Sequence, residues 1–268
     1  MKKLVSLALS AVVACGLMAG CGGTQKKEAA KPAAPAAPKK IVVGLDDNFP
    51  PMGFKDKDNN IVGFDIDMAK EAAKRLGIKI EFKPIDWSSK EAELKSKRID
   101  CLWNGLDITP ERQKNMLFSK PYMVAKQLIF VPTGSPIKSQ ADLKGKTVGV
   151  QSASSAESNV ENDKALKGSL KELKKYSDCI AAMMDMEAGR CDAIVTDEIL
   201  GRYYMGKKQG KFVCLDAKPV GPVVDYGIAF RKEDTALMET IQKAMDEMKK
   251  DGTAKKISMK WFNADLVK

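Results

Sequence analysis

The chain has 268 residues, of which 44% are hydrophobic and 30% charged, with a formal net charge of +10 and no histidine. That is the composition of a soluble globular protein, with room for one large or two modest domains. The missing histidine removes the commonest general base and the commonest metal ligand together, and no metal or cofactor is expected.

Met1-Lys2-Lys3 is a basic start, and Leu4 to Gly20 is an apolar run ending in small residues. Residues 1–20 therefore predict a signal peptide. The run barely reaches the length that spans a bilayer, which favours a leader over an uncleaved anchor. Leu17-Met18-Ala19-Gly20-Cys21 resembles the lipobox of bacterial lipoproteins, in which the cysteine is lipidated and becomes the new N-terminus. Met18 stands where that pattern usually has Leu. Val12-Val13-Ala14-Cys15 fits the pattern too, but the apolar run continues past Cys15 and stops at Cys21, which is the preferred site. Residues 21–40, rich in Ala, Pro and Lys, cannot bury a core and predict a semi-extended tether. Much of the positive charge sits here. Lys2 and Lys3 belong to the leader, and Lys26, Lys27, Lys31, Lys39 and Lys40 stand against Glu28 in the tether, so the globular part keeps only +4. That excess is too mild to point to nucleic acid, whereas a basic tether suits an anionic membrane surface.

From residue 41 strand and helix patterns alternate. Ile41 to Leu45 is a short apolar strand. Asp65 to Leu76 carries Ile66, Ala69, Ala73 and Leu76 at helical spacing, and Gly77 stops it. Ile78 to Phe82 alternates as a strand. Ser88 with Glu91 reads as a capping box that opens a helix to about Arg98. Ile99 to Trp103 is the next strand, and Thr109-Pro110 opens another helix. A second unit begins after Val131-Pro132. It holds a strand at Lys146 to Val150, a helix after the Ser/Ala run, a helix at Asp178 to Ala188, a strand at Cys191 to Thr196, a helix from Thr196-Asp197-Glu198 and a strand at Phe212 to Leu215. Tyr226 to Phe230 is a final strand and Asp234 to about Lys249 a helix. Such alternation predicts α/β architecture, with open, mostly parallel sheets flanked by helices. Cys101, Cys179, Cys191 and Cys214 show no CxxC spacing and read as structural, as thiols or as bridges.

Three polar turns stand at strand ends, where open α/β sheets bind ligands. In NGLDITPERQ, Arg112 falls in the first turn of its helix, where the macrodipole prefers acids. It is either a solvated arginine paired with Glu111 or Asp107, or a planar fork that joins free N–H groups in holding a carboxylate. QSASSAE, residues 151–157, offers small side chains and the donors of Ser154 and Ser155, for a ligand or as an ordinary helix cap. Asp197 either meets an ammonium or caps its own helix. Phe49 and Trp87 add rings just after strands. Together these residues describe a site for a zwitterion.

The residues now carry a family likeness. VGLDDNFPPMGF, IVGFDIDMAKEAAKRLG, LKSKRIDCLWNGLDITPERQKNMLFSKPYM, GKTVGVQSASSAE, CDAIVTDEI, YGIAFRKED and MKKDGTAKKISMKWF follow one another in order. The chain from 41 to 268 resembles the polar amino-acid solute-binding proteins of ABC importers. The resemblance implies a two-lobed, type II periplasmic-binding-protein-like fold with two hinge strands. Lobe 1 would span 41–124 and 224–268, and lobe 2 125–223. It implies that Arg112 takes a ligand α-carboxylate and Asp197 the α-ammonium. Gly105, Asp107 and Ser155 would contact main-chain groups, Phe49 and Trp87 would sandwich the ligand, and Asp46 would line the side-chain end. Asp107 departs from the Ser or Thr usual there. A carboxylate about 5 Å from the ligand's costs roughly 3 kcal/mol at an effective dielectric of 20, so it must turn away, pair with Arg112 or meet a positive group.

The expected function is a lipid-anchored, extracytoplasmic, monomeric receptor that closes on a free amino acid and hands it to a membrane permease. Asp46, Asp47 and Asp107 make the pocket acidic, which favours a polar or cationic side chain. The alternatives are an enzyme on the same fold, such as a cyclohexadienyl dehydratase-like protein, or an amino-acid sensor.

Overall fold

The structure, a computed structural model, describes residues 39–215 and 218–268. The expected signal peptide, Cys21 and all of the tether but Lys39 and Lys40 lie outside the described residues.

In chain order, β1 (Lys40–Leu45) leads through a small antiparallel sheet of β2 (Asn48–Phe49), β3 (Gly53–Lys55) and β4 (Ile61–Val62) into α1 (Phe64–Leu76) and β5 (Lys79–Pro84). Then come α2 (Lys90–Lys95), β6 (Cys101–Leu102), α3 (Pro110–Asn115), β7 (Met116–Phe118), β8 (Met123–Ala125) and β9 (Gln127–Pro132). The second half holds β10 (Thr147–Gln151), α4 (Ser155–Asn162), α5 (Lys164–Ser169), β11 (Glu172–Tyr176), α6 (Cys179–Glu187), β12 (Ala193–Asp197), α7 (Glu198–Lys207) and β13 (Phe212–Leu215). The chain finishes with β14 (Val224–Tyr226), β15 (Ala229–Arg231), α8 (Thr235–Lys250) and α9 (Thr253–Phe262).

The two large sheets share one plan. Their orders are β5-β1-β6-β15-β7 and β11-β10-β12-β9-β13. In each, the first three strands pair in parallel, and the fourth runs antiparallel to both its neighbours. Most strands of a sheet therefore point one way, as expected, although the pairings are mixed. The reversed strand always follows a strand of the antiparallel β8–β14 ladder: β9 follows β8, and β15 follows β14. The chain passes between the sheets along that ladder.

Both faces of each sheet are covered, which explains the near-continuous apolar strands. Ile41 and Val43 pack with Phe64, Met68 and Ala72 of α1 and with Ile241 and Met245 of α8, while Ile99, Leu102, Leu94 and Trp87 fill a second cluster. In the other sheet Val148 and Val150 meet Ala156 and Val160 of α4, and Ile194 meets Met183 and Met186 of α6. Gly77 ends α1 in the left-handed conformation and returns its N–H to Ala73 and Lys74 carbonyls.

Several expectations need correction. Ser88 does not cap a helix. Asp86 does, accepting from the Ser88 N–H at 2.8 Å at the head of a 3₁₀ turn, and α2 starts only at Lys90 and ends at Lys95. Both Asp and Ser are good caps, and the earlier one takes the turn. The strand expected at 99–103 keeps only Cys101–Leu102. The strand expected at 226–230 is two strands, broken at Gly227, where a side chain would meet Ile108 at 2.8 Å. Strands β2 to β4, β7 to β9 and β11 and helices α5 and α9 are not among the elements that the residue pattern predicts. Cys191 precedes β12 rather than lying in it, and Cys101, Cys179 and Cys191 are buried, unbridged thiols. No described helix is long and apolar enough to cross a membrane.

Candidate functional site

Residues at or just past the ends of β1, β6, β10 and β12 line one cavity. All nine residues singled out from the sequence line it: Asp46, Phe49, Trp87, Gly105, Asp107, Arg112, Ser154, Ser155 and Asp197. Asp47 does not. It pairs with Lys55 instead. Asn104, Gln127, Gln151, Ala156, Cys179 and Thr196 complete the lining.

Arg112 is held by the start of α3. Pro110 opens the helix, and the Thr109 hydroxyl accepts from the Arg112 N–H at 3.2 Å, as the sequence predicts. Arg112 is 9% exposed, and its guanidinium donates to the carbonyls of Asp107, at 3.1 Å, and Ala153, at 3.5 Å. Burial lowers its pKa, against the opposing charge of Asp107. It has no ion pair within 4 Å among the described residues, since Glu111 pairs with Lys114. Three of its five N–H donors remain for other use.

The Asp107 carboxylate makes no ion pair with Arg112 within 4 Å, although the nearby guanidinium lowers it. Oδ2 accepts from Gln127 Nε2 at 3.3 Å, while Oδ1 is buried with no partner. The same Gln127 Nε2 donates to Asp197 Oδ2 at 3.3 Å. Asp197 also caps α7, its Oδ1 accepting from the Ile199 N–H at 2.9 Å. Of the two sequence alternatives for Asp197 the structure has the cap, and the other carboxylate oxygen accepts from Gln127. Burial raises both carboxyls, and the charge of Asp107 raises Asp197 further.

Away from this pair, Asp46 accepts from Gln151 Nε2 at 2.6 Å and from the Asn48 N–H at 2.9 Å. Burial pushes it up to about 6. This bond joins the loop after β1 to the end of β10, and so links the two large sheets. Cys179 lies beside Gln151 Oε1 and the Thr196 hydroxyl, and burial pushes its thiol far up, so it stays protonated. Ser154 caps α4, accepting from the Glu157 N–H at 3.1 Å, so its hydroxyl is already used.

A layer behind these residues fixes them. Gly105 has φ +55°, and its N–H donates to Asp65 Oδ2 at 2.7 Å. A β-carbon there would stand 2.9 Å from the Phe49 ring. Asp65 also accepts from the Tyr122 hydroxyl at 3.0 Å, and full burial pushes it up to about 7. Lys90 is buried over the Trp87 ring and donates to the Ala153 carbonyl at 2.8 Å, a second bond across the sheets. Burial, then the Arg112 charge, lowers it to about 7.

The model of the bacterial extracellular solute-binding proteins, family 3, matches residues 41–264. The chain belongs to this family. Among its family 3 relatives, the L-cystine-binding protein TcyJ of Escherichia coli (strain K12) is 34% identical over 230 residues, covering 85% of this chain and 84% of TcyJ. The arginine-binding extracellular protein ArtP of Bacillus subtilis (strain 168) is 35% identical over 273 residues, covering 99% of this chain and all of ArtP. Among solved family 3 structures, the histidine-bound substrate-binding protein of an ABC uptake transporter from Streptococcus pneumoniae superposes with a TM-score of 0.82 at 36% identity. That match covers 85% of this chain and 94% of the other. The chain thus has the two-lobed type II fold of a solute-binding protein.

The sequence missed Gln127, the link between the carboxylates. It opens an apolar strand whose pattern gives one polar residue no special weight. It also missed Lys90, whose only signal is a lysine inside a helix start that buries its face on Trp87.

Proposed function

We propose that the protein captures a free amino acid with a polar or cationic side chain in this cavity and delivers it to an ABC permease. One observation carries the proposal: a buried guanidinium with unused donors stands beside two buried carboxylates, one with an unpartnered oxygen, in a single cavity. That is the complement of a zwitterion. Arg112 takes the α-carboxylate, together with N–H groups of Asp107 and Ser155, and Gly105, whose N–H is held by Asp65, contacts the ligand main chain through its carbonyl. Asp197 takes the α-ammonium, Phe49 and Trp87 hold the ligand's faces, and Asp46 meets the side chain. Relatives named for cystine, arginine and histidine support an amino acid as ligand. The lobes span 41–124 with 224–268, and 125–223, hinged on the β8–β14 ladder. Lipidation at Cys21 and a tether to residue 40 hold a monomeric receptor outside the membrane. Arg112 and Asp197 are used in binding, which leaves the protein without a catalytic step.

A thermal-shift panel of the standard amino acids with ornithine and cystine tests the proposal, because a ligand bound only by the folded state raises the melting temperature. Polar and cationic amino acids are expected to give the largest shifts. Shifts with acidic amino acids alone would overturn the side-chain class. A flat panel would overturn the function.

A further inference from the structure

We propose that Asp107 and Asp197 form a two-carboxylate seat for the ligand ammonium, and that the pair holds one proton which the ammonium expels on binding. The inference rests on the amino-acid-binding function above and adds a residue and a proton to it.

The geometry is specific to this cluster. One amide nitrogen, Gln127 Nε2, stands 3.3 Å from an oxygen of each carboxylate, so the two acids lie within two hydrogen-bond lengths of each other. Both are almost wholly buried, at 3% and 4% exposure. Gln127 supplies two donors, and both of these contacts use the same nitrogen. Asp107 Oδ1 is left buried without a partner, in the wall of the cavity. The buried Tyr226 hydroxyl lowers the Asp197 carboxyl by hydrogen bonding, but less than burial and the charge of Asp107 raise it. An ionised carboxylate left this way is costly, and two side by side are costlier. A proton on one of them relieves both costs. An ammonium relieves them better, because its three donors can serve both acids at once.

The charged and titratable groups facing the pair are few. They are Arg112 on α3, Tyr226 on β14, Tyr122 just before β8, Cys179 on α6 and Glu198 at the head of α7. Glu198 is paired with Lys126. Ser155 on α4 and Gln127 on β9 face the pair as neutral groups. Arg112 is the sole cation among them, and it spends two donors on main-chain carbonyls. Its charge lowers Asp107 without overcoming burial, and neither acid has an ion pair within 4 Å among the described residues. Balance is simple: an ammonium enters carrying +1, one proton leaves to solvent, and the charge of the site is unchanged.

The test is proton-linked calorimetry on the mature protein with L-arginine and L-glutamine, whose side chains do not titrate near neutrality. Binding heats measured near neutral pH in phosphate and in Tris differ by the protons exchanged times the difference in buffer ionisation heat. We expect close to one proton released per amino acid bound. Affinity should rise with pH by up to about tenfold per unit below the titration of the pair and level off above it. Asp107→Asn should bind several-fold more weakly and release almost no proton. Binding with heat but with no proton released and a pH-independent Kd would overturn the proposal and leave the transport function standing. This measurement needs no variant. Equal proton release from wild type and Asp107→Asn would overturn the role of Asp107. Failure of both amino acids to bind would sink the proposed function and this inference with it.

Discussion

β6 and β12 hold the same place, the middle of their sheets, and end differently. β12 keeps its ladder for five residues and finishes on Asp197, which at once caps α7. β6 keeps two residues, and the chain then leaves the sheet from Trp103 to Thr109 before α3 begins. The strand end delivers one side chain at a position fixed by ladder and cap. The released loop delivers several groups together, namely Asn104, Gly105, Asp107 and, one turn on, Arg112. It must then be tied from outside. Asp65 holds the Gly105 N–H, the Asp225 carbonyl holds the Ile108 N–H, and Arg112 holds the Asp107 carbonyl. One sheet thus supplies a fixed point, and the other a held loop.

If the loop carries most of the recognition, its arginine should matter most. Arg112→Ala removes the cation of the cavity wall and the tie to Asp107 together. We expect at least a hundredfold loss of L-arginine affinity by calorimetry, on the order of 3 kcal/mol or more. A loss below tenfold would show that the strand side suffices.

The next effect concerns the tie through Asp65. Burial raises its carboxyl from 3.8 to about 7 in the fold. The folded state therefore holds this proton more tightly than the unfolded chain. Its contribution to stability is fully present below about pH 4 and is lost as pH rises through about 7. Asp65→Asn cannot titrate, so wild type should lose stability relative to the variant by about 2–4 kcal/mol between those limits, read by urea unfolding. Parallel pH profiles would show that Asp65 is not buried as a titrating tie.

A smaller change tests the loop's shape. Gly105→Ala puts a side chain at φ +55° and against Phe49. We expect about 1–2 kcal/mol of lost stability and a several-fold weaker ligand affinity, because Phe49 must shift. Lost stability with unchanged affinity would separate the loop's fold from its binding role.

The sequence showed much of the strand side and half of the loop side. Strand, cap and helix at Ala193 to Lys207 follow one another in sequence, so Asp197 was placed by local pattern alone. Thr109-Pro110 likewise announced α3, and the arginine at its wrong end marked a site. What stayed hidden was long-range. Gln127 lies 20 residues from Asp107 and 70 from Asp197; the pairing of β9 with β12 sets it opposite Asp197, while Asp107 is placed from the other sheet by its bridge to Tyr226. The orientation of Asp107 was open among three outcomes. The structure excludes ion pairing within 4 Å with Arg112, because the guanidinium grips the Asp107 carbonyl instead. The break at Gly227 was invisible because YGIAF reads as one apolar run, while its halves pair with different partners.

The bond from Gln151 to Asp46 has a consequence for preference. An amide of the protein already occupies the acid that a guest's side chain would want. A short apolar guest leaves that bond alone. A guest with a guanidinium or ammonium tail must evict the amide, and it does so by offering a charged donor for a neutral one, a stronger bond to the same oxygen. If Asp46 meets the guest's side chain as proposed, Gln151 acts as a resident competitor that sets the threshold for every incoming side chain. The choice of cargo turns on how far a tail outbids it, and replacing Gln151 would move that threshold without touching a group that grips the amino-acid backbone.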